Sequence, residues 1–280
     1  MSDNMISEII PHVIYNPLDE TYTLDLKVKM EDDLSLRVGG NVGSNGANQV
    51  YIGATYHSLN NYAKEFSVDG QLGQIYNNLQ ISGRIDLPTT LPTSYRLVAS
   101  LSSFDYLKQE KLFNKGNTPT FNQQNEKYVK LFVSLPFLSR QKAEFGIGIA
   151  KLEDQYFQTN VIDFENDKRD ASNYTIFGGS VALDGNTLNS KQFATSGRRE
   201  RLSAHIYTGK ETFLVGANPN ENGNDYEYIQ SWLQLCYELE RYYQLRPNVA
   251  LGTYLKAFYS SRNFSNNYRA TMMQAGEFAP

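Results

Sequence analysis

The chain has 280 residues, with 26 Lys and Arg against 30 Asp and Glu and a net charge of −4, and the charges are interleaved. It therefore lacks the clustered basic footprint that tracks a nucleic-acid backbone. A single cysteine, Cys236, excludes an intramolecular disulfide framework and a cysteine-rich zinc site. No apolar run reaches the roughly 18 residues of a transmembrane helix, which leaves membrane-crossing strands open.

From the N-terminus, the opening MSDNMISEIIPHVIYNP has neither a basic n-region nor an apolar h-region. Either the protein is not exported, or the chain starts inside a longer one. Strict alternation then begins: Tyr22, Leu24, Leu26, Val28 and Met30 alternate with Thr23, Asp25, Lys27 and Lys29. The same period of two recurs at Val50–Tyr56, Phe66–Leu72, Leu79–Leu87, Tyr95–Leu101, Val129–Phe137, Phe145–Ile149, Leu202–Ile206 and Val249–Tyr259. This predicts roughly eleven or twelve strands of about 8–12 residues, long enough to cross a bilayer when tilted. Tyr226–Leu245 is ambiguous, because Tyr228, Trp232, Leu235 and Leu239 also fit helical spacing; the neighbouring strands favour β.

Turns are expected at Asn77-Asn78 and Ser139-Arg140. Long polar loops are expected at Asp105–Asn125, Asp154–Asn173, Asp184–Arg199 and Gly216–Asp225. Short turns on one rim and long loops on the other characterise outer-membrane barrels. Tyr (20) and Phe (15) are abundant although mean hydropathy is −0.49. Composition alone divides evenly between such a barrel and a tyrosine-rich soluble β protein.

Catalytic patterns are scarce. Gly178-Gly179-Ser180-Val181-Ala182, followed by Asp184-Gly185, approaches a nucleophile elbow. The elbow needs a sharp strand-to-helix turn and an acid from far away in sequence, and neither is present. The glycines fit better as small residues in a curved strand. His12, His57 and His205 stand singly, without metal-ligand spacing. Asp32-Asp33 and Glu165/Asp167 read as solvated loop charge. Gly39-Gly40-Asn41-Val42-Gly43 opens no helix, as a phosphate cradle would require. The glycosylation patterns at Asn173-Tyr174-Thr175 and Asn263-Phe264-Ser265 are incidental. Lys27, Arg84, Arg96 and Lys130 are placed on polar faces, where they could select ions or hydrogen-bond within a plugged lumen; the second is preferred. No catalytic, cofactor-binding or metal-binding residue is assigned.

Several segments carry a resemblance. Ile10-Pro11, Tyr15-Asn16-Pro17 and Thr21-Tyr22-Thr23-Leu24 resemble the last strand of a periplasmic POTRA module. Arg37-Val38-Gly39-Gly40-Asn41 resembles the first barrel strand of the surface-antigen (outer-membrane assembly factor) superfamily. Asp184–Asn189 with Phe193–Gly197 is loosely similar to a recurring segment of that superfamily whose proline is absent here. Leu87–Ser94, Ser102–Tyr106, Phe121–Gln123 and Tyr128–Leu131 are similar to the C-terminal half of patatin-like phospholipases of the Bacteroidetes.

The resemblance implies an all-β, antiparallel transmembrane β-barrel of roughly sixteen strands, incomplete in this chain. It implies a POTRA-like remnant over residues 1–32, a partial barrel over 33–280, and truncation at both ends. The implied function is an outer-membrane anchor or translocator for a serine lipase whose catalytic half is absent, so that this chain is not itself an enzyme. Implied partners are outer-membrane lipid, an attached or cognate lipase domain and the barrel-assembly machinery. A small-solute channel and a soluble β-sheet binding protein are the alternatives.

Overall fold

The structure is a computed structural model. It describes residues 6–17, 20–30, 33–41, 48–59, 62–73, 75–105, 122–138, 140–156, 169–190, 193–214, 216, 226–247 and 249–262. These residues form thirteen strands and no helix. β1 (Ile6–Asn16) and β2 (Thr21–Met30) make an antiparallel hairpin of their own. The other eleven form one antiparallel sheet in sequence order: β3 (Leu34–Asn41), β4 (Gln49–Leu59), β5 (Ala63–Gly73), β6 (Tyr76–Leu87), β7 (Thr93–Asp105), β8 (Asn122–Leu138), β9 (Gln141–Tyr156), β10 (Asp170–Asn186), β11 (Gly197–Leu214), β12 (Tyr226–Arg246) and β13 (Val249–Ser260). Tyr226–Arg246 is thus a strand, hydrogen-bonded to both β11 and β13.

The expected transmembrane β-barrel, incomplete in this chain, is corrected: the described strands form an open sheet that is not closed into a barrel. β3 and β13 terminate the sheet and do not pair with each other; every residue of β3 is exposed. Alternation specifies which face a side chain occupies, but it carries no information about whether two edge strands meet. The POTRA remnant is corrected as well. β1 and β2 are a bare hairpin with no helix over it among the described residues, and Tyr22 and Val13 in it are 74% and 60% exposed.

The alternation divides the large sheet into two faces. On the apolar face, the strand registers bring Tyr56, Phe66, Gly83, Leu97, Leu131, Ile147, Gly179, Ile206 and Leu233 side by side across β4 to β12. No described residue covers this face: Val38, Ile52, Ile147 and Ile206 are 80, 57, 56 and 66% exposed. The opposite face holds most of the buried groups, polar and apolar together: Thr55, Ser67, Ser100, Glu144, Asp154, Asp170, Ser172, Ser203 and Glu211 beside Tyr156, Ala182, Phe213 and Cys236. A small apolar cluster of Tyr174, Ile176 and Trp232, with Ala150, Leu152 and Tyr207 against it, lies among them. This inverts the arrangement of a soluble domain, in which apolar side chains leave water and polar ones keep it.

The connections differ from the expected ones. Asn77 and Asn78 lie inside β6 and form no turn. The β5–β6 connection is at residues 74–75, on the same rim as 42–48, 106–121, 157–169 and 215–225. The segment expected as a long loop over Asp184–Arg199 contracts to 187–196, because both strands extend into it, and it lies on the rim of the short turns. Thr187 N donates to the Arg198 carbonyl (2.8 Å) and Asn189 Oδ1 accepts from Thr195 N (3.0 Å) and Ser196 N (3.2 Å).

Gly197 closes this loop with φ of 102°, where a Cβ would run into the Thr187 carbonyl. Gly197→Ala is therefore expected to destabilise the protein by about 1–3 kcal/mol, read as a lowered midpoint in denaturant unfolding with unchanged slope.

Candidate functional site

The polar face is the candidate site, because it is where charged and aromatic side chains converge. Over β3 to β6 it carries a ladder of neutral and ionic hydrogen bonds. Arg37 pairs with Asp69 (3.0 Å) and donates to Thr55 (3.1 Å); Tyr51 also donates to Asp69 (2.5 Å). Ser67 meets Ser82 (2.7 Å), Gln71 donates to Gln49 (2.8 Å), and Arg84 pairs with Asp86 (2.8 Å). The register sets Ser67 opposite Ser82 and places Arg37–Thr55, Tyr51–Asp69 and Gln71–Gln49 diagonally. Arg37 reaches Asp69 across Gly53 of β4, and Arg84 and Asp86 stand two apart on β6.

A charge cluster follows over β7 to β11. Glu144, only 7% exposed at its side chain, receives Arg96 (3.3 Å), Arg201 (3.6 Å) and Lys142 (4.0 Å), with Ser134 Oγ donating at 3.2 Å. Asp184 shares Lys142 and Arg201, each at 3.8 Å. Nearer the rim of the long connections, Tyr174 donates to Glu211 Oε1 (2.8 Å) and Tyr156 meets Ser172 (3.4 Å). There Tyr207 packs on Trp232 with ring centroids 5.3 Å apart. On the other rim, a cleft of about 510 Å³ is lined by Arg140, Arg198, Arg241, Glu200 and Tyr243, among others.

Tyr174→Phe leaves the nearly inaccessible Glu211 carboxylate without that donor. A loss of about 1–3 kcal/mol is expected, measured as a shift in thermal or denaturant midpoint.

The residues singled out from sequence fall in different places. Arg84, Arg96 and Lys130 are on the polar face, Lys130 lying over the Tyr128 ring at 4.3 Å. Lys27 is in the separate hairpin. Ser180 sits mid-strand in β10, in register with Gly146 and His205. Extended pairing on both sides gives it no turn, so the elbow geometry is missing. His205 stacks on Tyr207, His57 faces Glu65 (3.8 Å), and His12 lies in β1. Gly39, Gly40 and Asn41 are part of β3. Asp32, Val42, Gly43, Glu165, Asp167, Asn263, Phe264 and Ser265 lie outside the described residues. The grouping of Asp154, Tyr174, Glu211, Trp232 and the later Arg262 was not anticipated. The signal that could have found it is acidic and aromatic residues at the polar parity of successive strands.

No family model matches this sequence, and no curated protein matches it. Solved structures that resemble this chain include the following three. BamA from Haemophilus ducreyi lacking POTRA domains 1–3 is 13% identical, with TM-score 0.49, covering 85% of this chain and 46% of that one. The siderophore receptor PiuA from Acinetobacter baumannii is 10% identical, with TM-score 0.39 over 85% and 47%. CdiB from Acinetobacter baumannii is 11% identical, with TM-score 0.32 over 94% and 57%. This chain thus spans less than two thirds of each. The likeness is a distant one of sheet architecture. The resemblance to patatin-like phospholipases is corrected: no patatin-like domain is evident among the described residues, and no family model supports one. The anchor and translocator reading is corrected with it, because the described strands form an unclosed sheet and no attached lipase domain is evident among them.

Proposed function

We propose that this chain forms the wall of a passage for small polar solutes in the bacterial outer membrane, with no catalytic centre of its own. Its apolar face would lie against acyl chains and its polar face toward water. The observation that carries the reading is the inverted burial. Across the large sheet the uncovered face is aliphatic and aromatic, while the protected face is hydrogen-bonded and ionic. In water the first face would expose a contiguous apolar surface far beyond the few hundred Å² usual for monomers. In lipid the same face needs no cover.

Strand length agrees with this. β8 to β12 have 17, 16, 17, 18 and 21 residues, more than the roughly 9–11 that a tilted strand needs to cross the hydrocarbon. The reading also carries a requirement. Unpaired backbone groups are expensive in hydrocarbon, so β3 and β13 need strand partners along their free edges there.

Two measurements on reconstituted protein test the proposal. In a Cys236→Ser background, a fluorophore at Ile206→Cys should be quenched by nitroxide-labelled lipid, and one at Ser180→Cys by a water-soluble quencher. Vesicles carrying the protein should then pass small sugars faster than empty vesicles. A protein that stays monodisperse without lipid or detergent, with both positions open to water, would instead be a soluble β-sheet binding protein.

A further inference from the structure

We propose that the polar face carries a receptor for a guanidinium-bearing solute, built from Tyr174, Trp232, Asp154 and Glu211 and filled here by the chain's own Arg262. Arg262 lies just beyond β13, and its guanidinium carbon is 4.8 Å from the Tyr174 ring centroid and 5.2 Å from that of Trp232. Both distances fall within the reach of a cation–π contact, which favours a flat, weakly hydrated cation. Two carboxylates flank this aromatic pair, Glu211 2% and Asp154 3% exposed.

The tethered occupant stacks on the rings and brings its charge near the acids, but leaves hydrogen bonds unmade. Arg262 Nε and one terminal nitrogen, Asp154 Oδ2, Glu211 Oε2 and Trp232 Nε1 are all buried, and none is hydrogen-bonded to a described residue. The backbone explains the shortfall. Ser261 N donates to the Leu233 carbonyl (2.9 Å) and Leu233 N to Ser261 Oγ (2.9 Å), while Arg262 N donates to Ser260 Oγ (3.3 Å). This clamp holds the segment to β12 and limits how far the Arg262 side chain can move.

Buried carboxylate oxygens without donors are costly. A guanidinium presents five N–H donors in a plane and matches a carboxylate with two parallel bonds. A free guanidinium, released from the clamp, can keep the ring contacts and also shift toward Glu211 or Asp154. An alkylammonium carries the charge without the planar fork and should bind less well. Arg262 then acts as an internal competitor, so that solute affinity is set by how readily it leaves.

The inference rests on the solute-passage reading for its physiological setting, but its test does not. Trp232 is the only tryptophan in the chain, so its emission reports on this cage alone in detergent-solubilised protein. Arg262→Ala is titrated with methylguanidinium and with methylammonium. Saturable emission change is expected with methylguanidinium, at an affinity at least about tenfold above that for methylammonium. Unaltered protein should need at least about tenfold more methylguanidinium than Arg262→Ala, because Arg262 competes for the cage. Arg262→Lys, which keeps a cation in place should the alanine variant not fold, should also bind methylguanidinium saturably. Adding Glu211→Gln to either variant should abolish the response. Equal affinity for the two cations, no saturation, or a response that survives Glu211→Gln overturns the proposal. Vesicle flux of neutral sugars reads the passage separately, so failure of one reading is distinguishable from failure of the other.

Discussion

Replacing Ile206 by lysine is expected to destabilise the lipid-reconstituted protein by about 2–4 kcal/mol, the range for a cation on the lipid face of a strand near the bilayer midplane. Ile206 is 66% exposed, in the interior of β11, with Gly179 and Leu233 beside it on the same face. In water such a side chain contributes little, and an exposed Ile→Lys change stays within about 0.5 kcal/mol. The two environments therefore predict different outcomes for one substitution. Reversible urea unfolding in lipid vesicles supplies the first number, and the expression yield of soluble protein bears on the second. A variant as stable as the parent in vesicles would mean that this face meets no hydrocarbon. Val38→Lys, at the β3 edge, should cost less if a partner strand or the interface lies nearby, because the penalty falls steeply away from the midplane.

Much of the sheet could be read from sequence, since burial of one face enforces a period of two. Tyr95, Leu97, Ala99 and Leu101 are written as one stripe, and they emerge on one face of β7. Strand ends were less legible. Asn77 and Asn78 have turn-former chemistry, yet both are strand residues: Asn77 Oδ1 accepts from Gly73 N (3.0 Å) across the adjoining connection, and Asn78 Oδ1 accepts from Ser100 Oγ (3.1 Å) on β7. Asp184 to Asn186 and Gly197 to Arg199 look like loop because they are polar, and they extend β10 and β11 beyond the apolar stripe. Tyr226–Arg246 fits two periods, and only pairing with β11 and β13 decides between them.

Closure and the site share a deeper reason for being hidden. Tyr174 and Glu211 are 37 positions apart, and whether they meet depends on the register of β10 against β11, which a one-residue slip would reverse. Whether β3 finds a partner depends in the same way on a long-range pairing that no local pattern encodes. The family resemblance supplied a sixteen-strand count and a lipase context that the strands themselves do not carry.

Glu144→Gln is expected to cost about 2–3 kcal/mol and to shift the passage toward anions. Glu144 collects Arg96, Lys142 and Arg201, so its neutralisation leaves three cations with Asp184 as the remaining carboxylate. Breaking a fully buried ion pair costs about 3–5 kcal/mol. Here Arg96 and Arg201 side chains are 44 and 34% exposed, and solvent screens part of that loss. The Ser134 hydroxyl can still donate to the amide oxygen, which keeps the geometry and isolates the charge. Adding Arg96→Gln removes one of the stranded cations and should recover part of both effects, a coupling that a double-mutant cycle resolves. Reversal potentials across a salt gradient, read beside unfolding midpoints, separate two roles. If stability falls while ion preference stays fixed, the cluster holds the sheet but does not face the solute path. If both move together and Arg96→Gln restores both, the same five charges set the register of β7 to β11 and the sign of what passes over them.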